Sequence, residues 1–463
     1  MQTTMIEIPI ELKAAVESLV QTAISVAKQV ASKRMVNFAE IEAEVRRASA
    51  ECERVALQQA VQAADIDAPR IRIGGNQLFK AYRGEVEYES AVGKLRVERT
   101  LYREERNGPT FDPVALKLGM VAKTWLPGAA AQMAALLATG PSREAASLAA
   151  ELGRLPYSRS SFERVGHAVA EHYVERHADI DELLIAEYDP PSTTVGLAIS
   201  LDRVSVPMEE PRERPCGRPR KGAAKRPVAR KFRMAYCGCV TLLDHDGEPL
   251  HKICYGRMPQ GDPVDLVEGM ASDVMMLLRH RPDLAVTLIA DGAPELWALL
   301  DAQLDAQTLG VAPRRLIDMF HLLEKLGAAA VALHGEHDAE VLRRRWCLRL
   351  KNSDTAALRI LDELRHDDNG SDAVHEAITY IENNHDRMNY AKAKAEGRPL
   401  GSGAVESTCK SLVTLRMKRP GSRWHERSGE HIIQLRALRL SDRWSEAMAL
   451  TLLPLRRAVS RAA

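Results

Sequence analysis

Aromatic side chains are scarce: 6 Phe, 5 Trp and 10 Tyr in 463 residues. Cores must therefore be built from Leu, Val and Ala, which fits a helix-rich chain. The seven cysteines (Cys52, Cys216, Cys237, Cys239, Cys254, Cys347 and Cys409) are odd in number and form no Cys-x-x-Cys pair. That speaks against a disulfide framework or a zinc ribbon, and for a reducing compartment. No run of 18 apolar residues occurs, so no membrane span is expected. The first residues, Met1-Gln-Thr-Thr-Met-Ile-Glu-Ile8, lack a basic n-region and a long apolar stretch, and a cytoplasmic location is expected. Net charge is nearly absent, 64 Lys and Arg against 63 Asp and Glu, so any contact with a polyanion must come from local patches.

What is present divides the chain. Residues 1–66 read as helices. In the second of them, Phe38, Ile41, Val45, Ala48, Cys52 and Val55 form a heptad-like stripe, which is either the core face of a helical hairpin or a dimerising seam. Over 67–108 apolar residues alternate (Ile71 and Ile73; Val86 and Tyr88; Leu95 and Val97), which predicts a small antiparallel ribbon carrying Lys80, Arg83, Lys94, Arg96 and Arg99. Residues 109–188 return to helix. There, Ser142–Gly153 and Ser160–Val169, each with a serine near its start as a cap, flank a short turn. This is a candidate helix-turn-helix with Arg159 and Arg164 at the leading end of its second helix.

Asp189-Pro-Pro-Ser-Thr-Thr194 is a linker, and 195–463 form the last domain. Val195–Val206 reads as a buried strand with Asp202 near its centre, a costly place for a carboxylate that binds nothing. Two strands follow around Asp244-His-Asp-Gly247, then a helix over 263–280. The strand Leu284–Ala290 delivers Asp291 at its C-terminal end, where ligand sites of α/β sheets gather. A fifth strand, Arg314–His321, runs into a helix near Leu322, and 334–397 read as a helical insertion. Pro399 and Gly401-Ser-Gly403 then break the chain before a helix with Ser402 as its cap and Glu406 in its first turns. The helix N-terminus favours the ionised form of Glu406, and Lys410 lies four residues on. By itself this is equally an ordinary capped helix with a solvated ion pair. With Asp202 and Asp291 it is what a ribonuclease-H-like sheet needs to gather three carboxylates around two metals. The expected fold is thus multidomain α+β: helical and helix-turn-helix-like N-terminal parts, then a ribonuclease-H-like domain with a helical insertion.

Between Met208 and Arg233, ten Lys and Arg face three Glu in a Pro- and Gly-rich stretch, a basic loop over 208–233. Its centre, Gly217-Arg-Pro-Arg-Lys-Gly222, is similar to an AT-hook. Arg218, Arg220 and Lys221 would meet either the minor groove of A·T-rich DNA or phosphates without sequence preference. Further on, Arg416, Lys418, Arg419, Arg423 and Trp424 follow Glu406, with Pro420-Gly421 breaking the helix among them. A basic arm there can hold backbone phosphates, and Trp424 either stacks on an unpaired base or anchors the core with Ile432, Ile433 and Leu435.

Four blocks carry a family resemblance: Ser200-Leu-Asp-Arg-Val-Ser-Val-Pro-Met208; Ile289-Ala-Asp-Gly-Ala293; Ile317-Asp-Met-Phe-His-Leu-Leu-Glu324; and Asn383-Asn-His-Asp-Arg-Met-Asn-Tyr390 with Gly401-Ser-Gly-Ala-Val-Glu-Ser407, continued by Arg416–Trp424. They resemble, in order and over about half the chain, the DDE transposases of bacterial insertion sequences, ISKra family. Gly119–Pro127 and Ser158–Phe162 also resemble that family's upstream domain. The resemblance implies that Asp202, Asp291 and Glu406 bind the metals. It implies an accessory role for Asp318 and His321, whose Asp-x-x-His spacing resembles a motif of Mutator-like transposases. It further implies Mg²⁺, with Mn²⁺ substituting, double-stranded DNA as partner, Lys410 and the basic arm on that DNA, and a homodimer or higher oligomer assembled on it near the nucleoid. Relatives often carry cysteine pairs around the N-terminal ribbon. This chain has none, so zinc is not expected. The implied activity is cutting of element ends and joining of the 3′-hydroxyl to target DNA. The alternatives are a DNA-binding descendant with an idle triad, or a nuclease that does not join.

Overall fold

A computed structural model describes residues 7–209 and 230–462. The basic-loop residues Arg218, Arg220 and Lys221 lie outside the described residues. The chain is α+β and forms two compact units, Met1–Arg176 with Met448–Ala463, and His177–Ala447.

The first unit opens with α1 (Ile10–Ser32) and α2 (Phe38–Gln62), packed on each other as a hairpin. Of the stripe on α2, Ile41 is buried, Val45, Ala48, Cys52 and Val55 are half-buried, and Phe38 is 57% exposed. The end of α2 is stitched to a sheet. Gln62 donates to the Glu98 carbonyl at 2.8 Å and accepts from its N–H at 3.0 Å. That sheet comprises β1 (Arg70–Ile73), β2 (Asn76–Ser90), β3 (Gly93–Arg103) and β4 (Thr110–Phe111), with the C-terminal β10 (Val459–Arg461) antiparallel on β1. Its alternation follows the sequence: Tyr88, Leu95 and Val97 are buried, and charged residues face out. The five ribbon cations each meet a carboxylate: Lys80 meets Asp67 at 2.6 Å, Arg83 meets Glu98 at 3.4 Å, Lys94 and Arg96 meet Glu87 at 2.5 and 3.4 Å, and Arg99 pairs with Asp112. A surface so paired is self-neutralising rather than a bare phosphate track.

Helices α3 (Pro113–Leu118), α4 (Pro127–Thr139), α5 (Ser142–Glu151) and α6 (Arg159–Val174) follow in this unit. Ser158 caps α6, accepting from the Ser161 N–H at 3.3 Å. Ser142 does not cap α5, contrary to expectation. Pro141 holds the cap position, and the Ser142 hydroxyl donates to Glu163 on α6 at 2.5 Å. A carboxylate across the helix pair outcompetes the local backbone for that hydroxyl.

The second unit is built on a five-stranded sheet: β5 (Gly196–Glu209), β6 (Arg230–Leu243), β7 (Pro249–Arg257), β8 (Ala285–Ala290) and β9 (Arg314–Ile317), in the order β7-β6-β5-β8-β9. β6 runs antiparallel to β5 and β7, whereas β8 and β9 run parallel to β5. The run Gly196-Leu-Ala-Ile-Ser-Leu201 is buried throughout, as a central strand covered on both faces must be. Helix α7 (His177–Ala186) precedes the sheet; α8 (Pro263–His280), capped by Asp262, joins β7 to β8; α9 (Pro294–Gln303) and α10 (Ala306–Leu309) join β8 to β9.

The fifth strand ends at Ile317, earlier than the sequence predicts. Asp318 caps α11 (Met319–Asn352) through the N–H groups of Phe320 and His321, so the helix starts before Leu322. A break at Gly335 (φ 75°) divides α11, and α12 (Ala356–His366), α13 (Asp372–Asn384) and α14 (Tyr390–Ala395) pack behind it. The chain then gives α15 (Gly403–Thr408), a π-helical segment Cys409–Thr414, α16 (Leu415–Met417), α17 (Glu426–Leu440) and α18 (Trp444–Leu452). Among the described residues no helix is long and apolar enough to cross a membrane.

Candidate active site

Strand register sets the site. The last pair between β5 and β8 is Ser200 with Ile289, so two residues further on Asp202 stands beside Asp291. β8 and β9 end their pairing at Ala290 with Ile317, so the next residues, Asp291 and Asp318, are again neighbours, and the Asp318 N–H donates to the Ala290 carbonyl at 2.9 Å. Three carboxylates thus emerge at one level of three adjacent parallel strands, whose spacing is about 4.8 Å.

Their surroundings differ. Asp318 is fully buried and its oxygens are committed. Oδ1 accepts from the N–H groups of Phe320 at 2.6 Å and His321 at 3.3 Å, and Oδ2 accepts from the Ser402 N–H at 2.6 Å and from the Ser402 hydroxyl. Asp318 therefore pins the turn before α15 to the start of α11. This also corrects the reading of Ser402: it occupies the cap position of α15, but its hydroxyl serves Asp318 and leaves that helix without a side-chain cap. The clamp brings Glu406 Oε1 to 3.6 Å from His321 Nε2, with Glu324 at 3.6 Å from Nδ1 of the same ring. Glu406 and His321 are open to solvent, at 54% and 40% of their side-chain surfaces. A ligand can reach them where it cannot reach Asp318.

Asp202 is half-buried. Its Oδ1 accepts from the Arg203 N–H at 2.6 Å, and its Oδ2 accepts from the Cys409 thiol at 3.3 Å. Cys237, the β6 partner of Asp202, shares a hydrogen bond with the same thiol. That bond, burial and the charge of Asp202 together push the Cys409 pKa far up, so the sulfur stays protonated. Cys409 lies three residues after Glu406, one helical turn away, so the contact lays the Glu406 helix over Asp202. Asp291 Oδ1 accepts from the Ala293 N–H at 3.0 Å, and its carbonyl accepts from Trp297 Nε1 at 2.7 Å. The Arg387 guanidinium sits 4.7 Å over that indole. Behind Asp291, Tyr380 packs on Gly292, its phenol pKa raised by burial and then by Asp291 and Asp318.

Among the described residues, two groups hold three ligand atoms within 4.8 Å of one another: Asp318–His321–Glu406 and Asp244–His245–Asp246. The second is a hairpin turn in which Asp244 Oδ1 already accepts from the Asp246 and Glu248 N–H groups. Asp202 and Asp291 belong to neither group.

Of the expected DNA contacts, Lys410, Lys418 and Arg423 are exposed, with Lys418 Nζ 3.4 Å from the Ser205 hydroxyl. Arg419 is half-buried and donates to the Leu415 carbonyl at 3.4 Å. Arg416 and Trp424 face inward: Arg416 is 6% exposed with its guanidinium 4.9 Å over the Trp424 ring, and Trp424 is 9% exposed. The indole donates to the Met417 carbonyl at 3.0 Å, and the Trp424 backbone pairs with Pro207 and Glu209 at the end of β5. These two residues form an anchor: Trp424 takes the core position, the second of its two expected readings, and Arg416 is corrected from a phosphate contact to a buried one. Arg159 and Arg164, in the first unit, are exposed on α6, with Arg164 5.9 Å over Trp125. Cys409, Ser402, Trp297 and Tyr380 escaped the sequence reading as site residues; for Cys409, its three-residue spacing from Glu406 is the signal.

Gly292 tests how finely Asp291 is held. A Cβ there would lie 2.4 Å from the Tyr380 ring and 3.2 Å from Asn384. Gly292→Ala is expected to lower stability by about 1–3 kcal/mol and to displace Asp291. Trimming the ring with Tyr380→Ser should recover part of the melting temperature. Equal stability of native protein and Gly292→Ala would show that the loop yields freely.

No family model and no curated protein matches the chain. Among solved structures it is similar to the Drosophila P element transposase strand transfer complex. The TM-score is 0.24 at 14% identity, over 70% of this chain and 78% of that one.

Proposed function

We propose that the second unit is a metal-dependent DNA strand-cleaving and strand-joining enzyme, a transposase of the DDE type with a ribonuclease-H-like sheet. The observation that carries this reading is the register that aligns Asp202 with Asp291 on neighbouring parallel strands, under a helix that presents Glu406. The strand order, with one antiparallel half and one parallel half about β5, supports the fold assignment.

The donor set fits a hard divalent cation. Asp202, Asp291 and Glu406 offer oxygen only, and the thiol nearest them is held protonated. Those three residues would hold Mg²⁺, or Mn²⁺ in its place. Two such ions supply activation of a water or a DNA 3′-hydroxyl and charge stabilisation in an in-line displacement at phosphorus. The chain's own part is placement. Cys409 fixes one oxygen of Asp202, and Trp297 and the Ala293 N–H fix Asp291. Asp318, acting through Ser402, fixes the start of the Glu406 helix. His321, beside Glu406, is placed to orient a water or a phosphate oxygen. Exposed Lys410, Lys418 and Arg423 lie on the same stretch of chain and would hold flanking phosphates. Arg159 and Arg164, with the basic residues Arg218, Arg220 and Lys221, would supply further DNA contacts.

The test is to incubate the full chain with duplex DNA carrying its element's ends, with Mg²⁺ or with chelator, and to map the products. Metal-dependent 3′-hydroxyl ends and joined molecules are expected. Ends without joining would mark a nuclease, and binding without cleavage an idle descendant.

A further inference from the structure

α1 is a helix with too little to hold. Over 23 residues it buries one side chain, Ala15. The half-buried positions Leu12, Val16, Leu19, Thr22, Val26 and Gln29 fall, with Ala15, on the side that meets α2. On the opposite side, Ile10, Lys13, Glu17, Val20, Ile24, Ala27 and Ala31 recur at alternating steps of three and four, and all are exposed. Val20 and Ile24 are open at 49% and 43%, in the middle of the row. A second seven-residue repeat on the outer face of a hairpin is the pattern of a helix with another helix to meet.

Charge and spacing select the partner. Acids lie early (Glu7, Glu11, Glu17) and bases late (Lys28, Lys33, Arg34). Lys13 is the early exception, 3.9 Å from Glu17 on the same helix. Two copies side by side in the same direction would set acid against acid and base against base. Reversed, they set each end against its complement. From Lys13 to Ala31 the steps are four, three, four, three, four, which reads the same in both directions. A reversed copy therefore meshes with the first, layer for layer. Val20 packs on Ile24 of the partner subunit and Ile24 on the partner's Val20. Glu17 comes beside the partner's Lys28. Such self-complementarity is the requirement of a two-fold interface.

We infer that α1 is the dimerisation element of this protein: two copies associate through antiparallel α1 helices, with Val20 and Ile24 at the centre of the seam. The sequence offers the stripe on α2 for this role. The structure turns that stripe toward its own hairpin and sheet, and leaves the row on α1 outside.

Sedimentation of the full chain across a concentration series tests the inference. Twice the monomer mass is expected for the native protein. The monomer mass is expected for Val20→Glu with Ile24→Glu, with unchanged helix content by circular dichroism because neither residue supports its own fold. A native monomer at every concentration, or a charged variant that stays dimeric, would overturn it. Direction is read separately by oxidative cross-linking of Lys13→Cys and Ala31→Cys, with the native protein as control for its own cysteines. Cross-links between the two variants when mixed, and not within either alone, are expected. Each variant linking to itself would establish a parallel pair and overturn the antiparallel seam.

Discussion

Asp202→Asn, Asp291→Asn and Glu406→Gln are each expected to lower DNA cleavage by about a thousandfold or more, close to 4 kcal/mol of barrier. Each change keeps the size of the side chain and removes the charge that a divalent cation needs. Stability should respond differently at the three positions. Glu406 is exposed, so its neutralisation should leave the melting temperature unchanged. Asp202 receives the Cys409 thiol and the Arg203 N–H. An amide oxygen can still accept one of these bonds, and the loss should be about 1 kcal/mol. Strand cleavage, DNA binding and thermal unfolding measured on one preparation separate these effects. A variant that cleaves at near-native rate while bound to Mg²⁺ removes that residue from the proposed metal set. Asp318→Asn is the informative contrast. Its carboxylate is spent on Ser402 and the first turn of α11, so it should lose stability as well as activity.

Trp424→Ala is expected to cost about 3–5 kcal/mol of stability, the usual range for emptying a large buried aromatic site. The indole is buried, its N–H is satisfied by Met417, and its backbone forms a bridge with Met208. Removing the ring leaves a cavity and also uncovers the Arg416 guanidinium that lies against it. Trp424→Phe keeps most of the volume and loses one hydrogen bond, so a smaller loss of about 1 kcal/mol follows. Chemical denaturation gives both values. Activity should fall equally on duplex ends and on ends already unpaired, because the defect is structural. An unchanged denaturation midpoint, with activity lost on duplex ends alone, would restore a stacking role.

β5 and β8 of the second unit were legible because each carries a short apolar run bounded by turn residues. The acid at the end of β8 was legible for the same reason. Less of what surrounds it could be read. The ties that position the site join residues far apart in the chain: Asp318 to Ser402, Asp202 to Cys409, and Asp291 to Tyr380 through Gly292. A serine after a turn looks like a helix cap, and only the folded chain shows that a buried carboxylate takes its hydroxyl. The cations of the ribbon were visible as a basic face, but the acids that neutralise them come from neighbouring strands and loops. Trp424 read either way, but Arg416 read as a surface residue because arginine seldom enters a core. Here it is covered by the ring it stacks on.

The wide turns at Cys409–Thr414 settle a question of phase along the rod from Gly403 to Met417. Its buried residues fall in two rows, Val405, Cys409, Val413, Met417 and Thr408, Leu412, Arg416, each repeating every four residues. An α-helix turns ~100° per residue, so a four-residue row drifts by ~40° at every step and by ~120° over three steps. With ordinary turns throughout, the far end of each row would have rotated away from the sheet. The π-helical stretch, with more residues to the turn, takes up that drift. The rod is tuned like a gear with one added tooth, so that Glu406 at one end and Met417 at the other mesh with the same sheet. Deleting a single residue from the stretch would let ordinary α turns span it, since the eleven steps then left from Val405 to Met417, at ~100° each, fall within ~20° of three full turns, so Glu406 and Met417 would keep their phase while the stretch lost its π-helical turns.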